Sequence, residues 1–169
     1  MTKRQHAVKI RPTGRALEKG RRTPSGDALS GVAIRVLRLA GLLTAAGDRI
    51  AAPAGQTSAR WQVLAAAEHA PGTVAQIARA LGLARQSVQR VADLLVSEGL
   101  AAYADNPEHL RAKLLELTPA GRSVLATIQK VQRAWADELG NAIGAAPLLR
   151  TAEGLDRLLA ALLAREPDD

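Results

Sequence analysis

Residues 73–98 hold two short helical patterns separated only by Leu81-Gly82-Leu83, and no other feature of the chain restricts its fold as tightly. Thr73 followed three positions later by Gln76 reads as a capping box, in which hydroxyl and carboxamide each satisfy a backbone N–H at a helix start. The helix it opens, residues 74–80, is about two turns long. Glycine at position 82 suits the positive backbone angle of a tight turn. A second helix is expected over 84–98, with Val88, Val91, Ala92, Leu95 and Val96 on its inward face and Arg85, Gln86, Gln89, Arg90 and Asp93 outward. The pair forms a helix-turn-helix.

The flanking segments supply the rest of the architecture. Residues 100–105 and 113–117 read as short strands joined by a turn containing Pro107 and Arg111, which after a helix-turn-helix makes a wing. Upstream, Leu29, Val32, Ala33, Val36, Leu37 and Ala40 recur at helical spacing from Asp27 to about Gly47, with Ser25 or Asp27 as the expected cap. Pro53 and Gly55 mark a loop, and Thr57 and Ser58 introduce a helix through Trp61, Val63, Leu64 and Ala67 that stops at Pro71-Gly72. Downstream, Thr118-Pro119 restarts helix with Val124, Ile128, Val131, Trp135, Leu139 and Ile143 in one stripe. Pro147 is expected to end that helix, and Thr151 to open a last one carrying Leu155, Leu158, Leu159, Leu162 and Leu163. The expected fold is mainly α with a small β-wing, a winged helix-turn-helix between long N- and C-terminal helices. Long apolar stripes with too few elements to cover them predict a homodimer, because such faces must be buried against a partner.

Composition narrows the function. The chain has 169 residues, 47% of them apolar, yet no Phe, one Tyr and two Trp, so its core is aliphatic. Cysteine is absent, which removes disulfides and thiol-based sensing. His6, His69 and His109 are far apart and carry no metal-ligand spacing, so neither metal nor cofactor is expected. No uninterrupted apolar run reaches the roughly 18 residues of a membrane span, and no secretory leader is recognisable, so a cytoplasmic chain without membrane contact is expected. The net charge of +7 resides wholly in residues 1–26, where eight cations face Glu18 alone. That Gly- and Pro-containing segment reads as a flexible basic arm, either a solubilising leader or a tracker of phosphates.

The outward face of the second helix has the chemistry of base reading. In a helix-turn-helix the second helix enters the major groove with its N-terminal side chains toward base edges. Arg85, Gln86, Ser87, Gln89 and Arg90 supply it: arginine pairs with guanine, glutamine with adenine, serine with phosphate or base. An ordinary solvated face has the same residue types; the wing behind it favours double-stranded DNA as partner. Glycine-rich phosphate loops and nucleophile–histidine–carboxylate arrangements are absent, so no enzyme is expected.

The runs 57–64, 73–78, 81–90, 98–100 and 117–122, in order and spacing, resemble the MarR family of bacterial regulators over residues 28–165. The resemblance implies an obligate homodimer with interlocking first and last helices, a palindromic operator straddled by two winged domains, and release by a small anionic or phenolic ligand. It implies a DNA-binding set of Arg85, Gln86, Ser87, Gln89, Arg90, Arg111 and Thr73, and an effector pocket touching Arg60, Trp61 and His69. It divides the chain into the arm 1–26, a dimerisation helix and loop 27–56, the DNA-binding region 57–118 and dimerisation helices 119–169. Two positions depart from the family pattern. Alanine at 84 replaces a capping Ser or Thr, costing about 1 kcal/mol at the helix end. His109-Leu110-Arg111 replaces an acidic residue and two arginines at the wing, leaving Arg111 as its cation. The expected function is a sequence-specific regulator, a repressor; the alternative is a nucleoid-associated or protein-interaction factor that discriminates weakly between sequences.

Overall fold

The computed structural model describes residues 22–107, 109 and 111–165, so the basic arm up to residue 21 and Leu110 of the wing lie outside the described residues. In order come α1 (Pro24–Ala51), a 3-10 turn (Ala52–Ala54), α2 (Ser58–His69), β1 (Gly72–Thr73), α3 (Val74–Leu81), α4 (Arg85–Ser97), β2 (Ala101–Ala104), β3 (Leu114–Leu117), α5 (Pro119–Ile143) and α6 (Ala145–Leu163). The chain divides into two compact units at Ala40 and Gly41, within α1.

The first unit holds the start of α1. Its cap is Thr23, not Ser25 or Asp27: the Thr23 hydroxyl accepts from the Gly26 N–H at 3.1 Å. Proline at 24 then falls on the first helical position, where its missing N–H costs nothing. Within the single chain no residue of α1 before Ala46 is buried, and Leu37 is 74% exposed. By length and composition Pro24–Ala54 is apolar enough to cross a membrane, with mean hydropathy 1.5 over its most apolar 18 residues. A count of uninterrupted apolar residues misses this because Arg35 and Arg38 break the run.

The second unit contains the core. Val63, Leu64 and Ala67 of α2, Val74, Ile77 and Ala78 of α3, and Val88, Ala92 and Leu95 of α4 close on Ala101, Leu115 and Leu117 of the sheet and Leu125 of α5. Burial at 88, 92 and 95 puts one stripe of α4 into the core and leaves the opposite edge for solvent. A second cluster joins Ile50 and Ala51, at the end of α1, to Ile128; Trp61, Val124, Val131 and Trp135 pack against it. The upper part of the α5 stripe is thus covered within the chain, whereas Leu139 and Ile143 remain exposed.

Helix starts follow local chemistry. Thr57 caps α2 through the Arg60 N–H at 3.3 Å, and Asp48 Oδ1 accepts from the Ser58 N–H at 2.7 Å. The Thr73–Gln76 capping box is fully formed, and Gly82 has φ 63. Thr118 caps α5, accepting from the Gly121 N–H at 3.1 Å. At Gly121 helix and wing meet so closely that a Cβ would lie 1.9 Å from the Leu100 carbonyl oxygen, so no side chain fits.

Two further sequence expectations are corrected. The wing is a three-stranded antiparallel sheet of order β1-β3-β2, with Ala101 opposite Leu117, Ala104 opposite Leu114 and Gly72 opposite Leu115. β1 has two residues, too few for any alternation to register. At the other end, α5 stops at Ile143 and the chain turns at Gly144, φ 91. Pro147 does not end it: this proline lies in the first turn of α6, where N–H groups lack intrahelical acceptors anyway. Thr151 therefore sits inside α6, its hydroxyl donating to the Pro147 carbonyl at 2.9 Å. Leu149, Leu159, Leu162 and Leu163 of α6 are exposed, Leu163 by 67%.

Candidate nucleic-acid interface

The start of α4 is positioned from below. Val88, Ala92 and Leu95 anchor it in the core, and the turn ending at Leu83 delivers Ala84 as the N-cap residue with φ −62 and ψ 132. Alanine makes no side-chain cap bond, as its chemistry dictates. Arg85, Gln86, Ser87 and Arg90 are exposed and Gln89 is half-buried. Positions 85, 86, 89 and 90 share one face of a 3.6-residue helix, and these four side chains line one shallow depression of about 650 Å³. Ser87 lies outside that lining.

A second depression, about 370 Å³, runs from this helix to the wing and is lined by Thr73, Arg85, Gln89, Tyr103, Arg111 and Lys113, among others. Arg85 and Gln89 border both depressions. Thr73 arrives here because it opens α3 beside the sheet; its Oγ1 is engaged by the Gln76 N–H at 3.2 Å, so its role is first that of a cap. Arg111 and Lys113 project from the loop between β2 and β3, at the same margin. Three cations, Arg85, Arg111 and Lys113, thus front one hollow, which suits phosphate oxygens.

Lys113, Tyr103 and Asp93 were not singled out as site residues from the sequence. Tyr103 on β2 donates to Asp93 Oδ1 of α4 at 2.7 Å. Gln89 Nε2 donates to the same carboxylate oxygen at 2.8 Å and to the Tyr103 hydroxyl at 2.8 Å. Burial, then the hydrogen bond and charge of Asp93, push the phenol pKa up to about 12. Hydrogen bonds from Tyr103 and Gln89 hold the Asp93 carboxyl below its ordinary value. The wing is therefore tied to the helix by a neutral phenol and a carboxylate. The signal for this tie in the sequence is slender, an aromatic in a strand otherwise made of alanine.

Of the three residues expected to line an effector pocket, one borders a cavity among the described residues. Arg60 pairs with Glu98 just beyond α4, and its Nε is buried with no hydrogen-bond partner. Trp61 is half-buried and packs on both apolar clusters. His69 lines a cavity of about 360 Å³ with Ala66, Pro71, Gly72, Gln76 and Ile77, which neither Arg60 nor Trp61 borders.

The MarR family profile matches residues 54–112. Uncharacterized proteins of Mycobacterium tuberculosis and Mycobacterium bovis are 42% identical over 141 residues, covering 83% of this chain and 99% of theirs. Among solved structures, a MarR family transcription regulator, SP03579, superposes with a TM-score of 0.70 at 25% identity, covering 84% of this chain and 97% of its own. The regulator MosR of M. tuberculosis, solved in complex with DNA, gives 0.66 at 26% identity over 79% of this chain and 98% of its own. By the family match and these superpositions, the chain belongs to the MarR family of winged-helix, DNA-binding transcription regulators.

Proposed function

We propose that the chain is a homodimeric repressor that binds a palindromic operator and is released by a small ligand. The observation that carries this is the shared surface of α4 and the wing, where Arg85, Gln86, Gln89 and Arg90 continue into Arg111 and Lys113. In the proposed complex Arg85, Gln86, Ser87, Gln89 and Arg90 enter the major groove. Arg111 reaches the adjacent minor groove, and Thr73 sits by the backbone. Residues 57–118 form the reading module, and the basic arm 1–26 adds salt-dependent phosphate affinity.

Dimerisation is supported by apolar surface without cover in the single chain: Leu29, Val32 and Leu37 on α1, Leu139 and Ile143 on α5, and Leu159, Leu162 and Leu163 on α6. Surface of this extent marks an association site. Segments 27–56 and 119–169 supply the dimer contacts in this reading, which also accounts for the apolarity of α1 in a cytoplasmic protein. Two-fold pairing places two α4 helices for half-sites about 34–36 Å apart, hence a palindrome. Without cysteine, release proceeds by non-covalent binding of an anionic or phenolic molecule near α2, where Arg60, Trp61 and His69 lie.

Selection from a random duplex pool tests the proposal. A palindromic consensus, lost in Arg85→Ala and Arg90→Ala, is the expected result; bound duplexes with no enriched sequence would refute specific reading. Titrating p-hydroxybenzoate into the complex tests release, and an unchanged bound fraction at millimolar probe would count against that part alone.

A further inference from the structure

Gln89 stands where the two depressions meet, and its carboxamide is not left to rotate. Its partner Asp93 Oδ1 is a carboxylate oxygen, which only accepts, so the atom of Gln89 turned toward it is the nitrogen. The neighbours thus fix an amide orientation that is otherwise ambiguous. The Tyr103 hydroxyl has given its proton to the same oxygen, so toward Gln89 it acts as acceptor. Gln89 Nε2, Asp93 Oδ1 and Tyr103 Oη form a triangle with sides of 2.8, 2.8 and 2.7 Å. The two oxygens therefore subtend about 60° at the nitrogen, half the roughly 120° between the N–H bonds of a planar amide. One N–H pointing between them serves both. The Gln89 carbonyl oxygen is repelled by the Asp93 carboxylate and takes the far side, next to the second N–H.

That far edge pairs one acceptor with one donor, the pattern complementary to N6–H and N7 of adenine. We propose that Tyr103 and Asp93 are positioning residues for base specificity, holding the Gln89 carboxamide as a preset reader of adenine. The inference rests on the DNA-binding reading given above and adds which residue reads which base, and what orients it. Without the latch, Gln89 keeps its chemistry but loses its orientation: the freed carboxamide turns over and presents donor or acceptor to either neighbour. With its pKa raised to about 12, the phenol keeps its proton at neutral and mildly alkaline pH.

The test is duplex selection with the full chain, comparing wild type, Tyr103→Phe, Gln89→Ala and the double variant. Tyr103→Phe removes one oxygen and keeps the ring. Wild type should prefer adenine at one position of each half-site by about tenfold or more, the range of a good paired contact. Tyr103→Phe, which leaves the Asp93 bond in place, should weaken that preference, Asp93→Ala should cut it to about twofold, Gln89→Ala should abolish it, and the double variant should match Gln89→Ala. Preferences elsewhere and the salt slope should stay as in wild type. A thermal melt establishes that each variant is folded, and Asp93→Ala opens the same latch from the helix side should Tyr103→Phe not fold. Full adenine preference in Tyr103→Phe or Asp93→Ala would overturn the positioning role. An unchanged consensus in Gln89→Ala would overturn the reader. A wild type that enriches no sequence would overturn the DNA-reading proposal itself, a result distinct from the other two.

Discussion

Gly121→Ala isolates the joint between wing and α5. A Cβ at this position falls 1.9 Å from the Leu100 carbonyl oxygen and 3.0 Å from its carbon, both backbone atoms that cannot swing aside. Reaching ordinary contact requires the first turn of α5 to withdraw by more than an ångström, which strains three hydrogen bonds. These are the Thr118 N–H to the Leu100 carbonyl at 3.1 Å, the Thr118 hydroxyl to the Gly99 carbonyl at 2.7 Å, and the Gly121 N–H to Thr118 Oγ1 at 3.1 Å. At about 1 kcal/mol each their loss costs about 3 kcal/mol. Alanine returns about 1 kcal/mol in helix propensity, so a net destabilisation of about 2 kcal/mol is expected. For a chain of this length that is a fall in Tm of roughly 4–8 °C. Urea unfolding followed by far-UV circular dichroism measures it. Gly140→Ala on the same helix is the control, since a Cβ there meets nothing within 4 Å and should add up to about 1 kcal/mol. Equal stability of the two variants would refute the crowding argument.

Further outcomes are expected. Tyr103 is the sole tyrosine, so its ionisation is read directly by ultraviolet absorbance and should have a midpoint near 12. Because the folded phenol holds its proton more tightly than the unfolded one, its stabilising contribution is complete below pH 10 and is lost as pH rises from 10 toward 12; a midpoint near 10 would refute the latch. Ala84→Ser supplies the missing cap of α4 and should raise stability by about 1 kcal/mol in urea unfolding. Leu37→Glu and Leu163→Glu replace exposed apolar residues of α1 and α6, and sedimentation should show monomers with unchanged circular dichroism; a dimer as tight as wild type would count against these faces as the contact.

The parts of the fold legible in the sequence are those written in local chemistry. Thr73 and Gln76 announce α3 because both halves of the capping box lie within one turn, and Thr118-Pro119 announces α5 in the same way. Proline proved ambiguous: at 147 it looks like a stop but fits equally well in an opening turn, and the difference is made by Gly144, three residues earlier. β1 was invisible because its two residues take their conformation from β3, a partner forty positions away in the chain. Of the candidate interface, the helix face from Arg85 to Arg90 followed from spacing alone. The Tyr103–Asp93–Gln89 tie did not, because it depends on the placement of a strand against a helix.

The distribution of chromophores has a practical consequence. Both tryptophans, Trp61 and Trp135, pack against the cluster around Ile50, Ala51 and Ile128, while the single tyrosine borders the hollow between α4 and the wing. Emission excited at the red edge reports on the tryptophans beside that cluster, and phenol absorbance reports on the hollow between α4 and the wing. The unlabelled protein thus carries two spectroscopic channels, one for each of these two places.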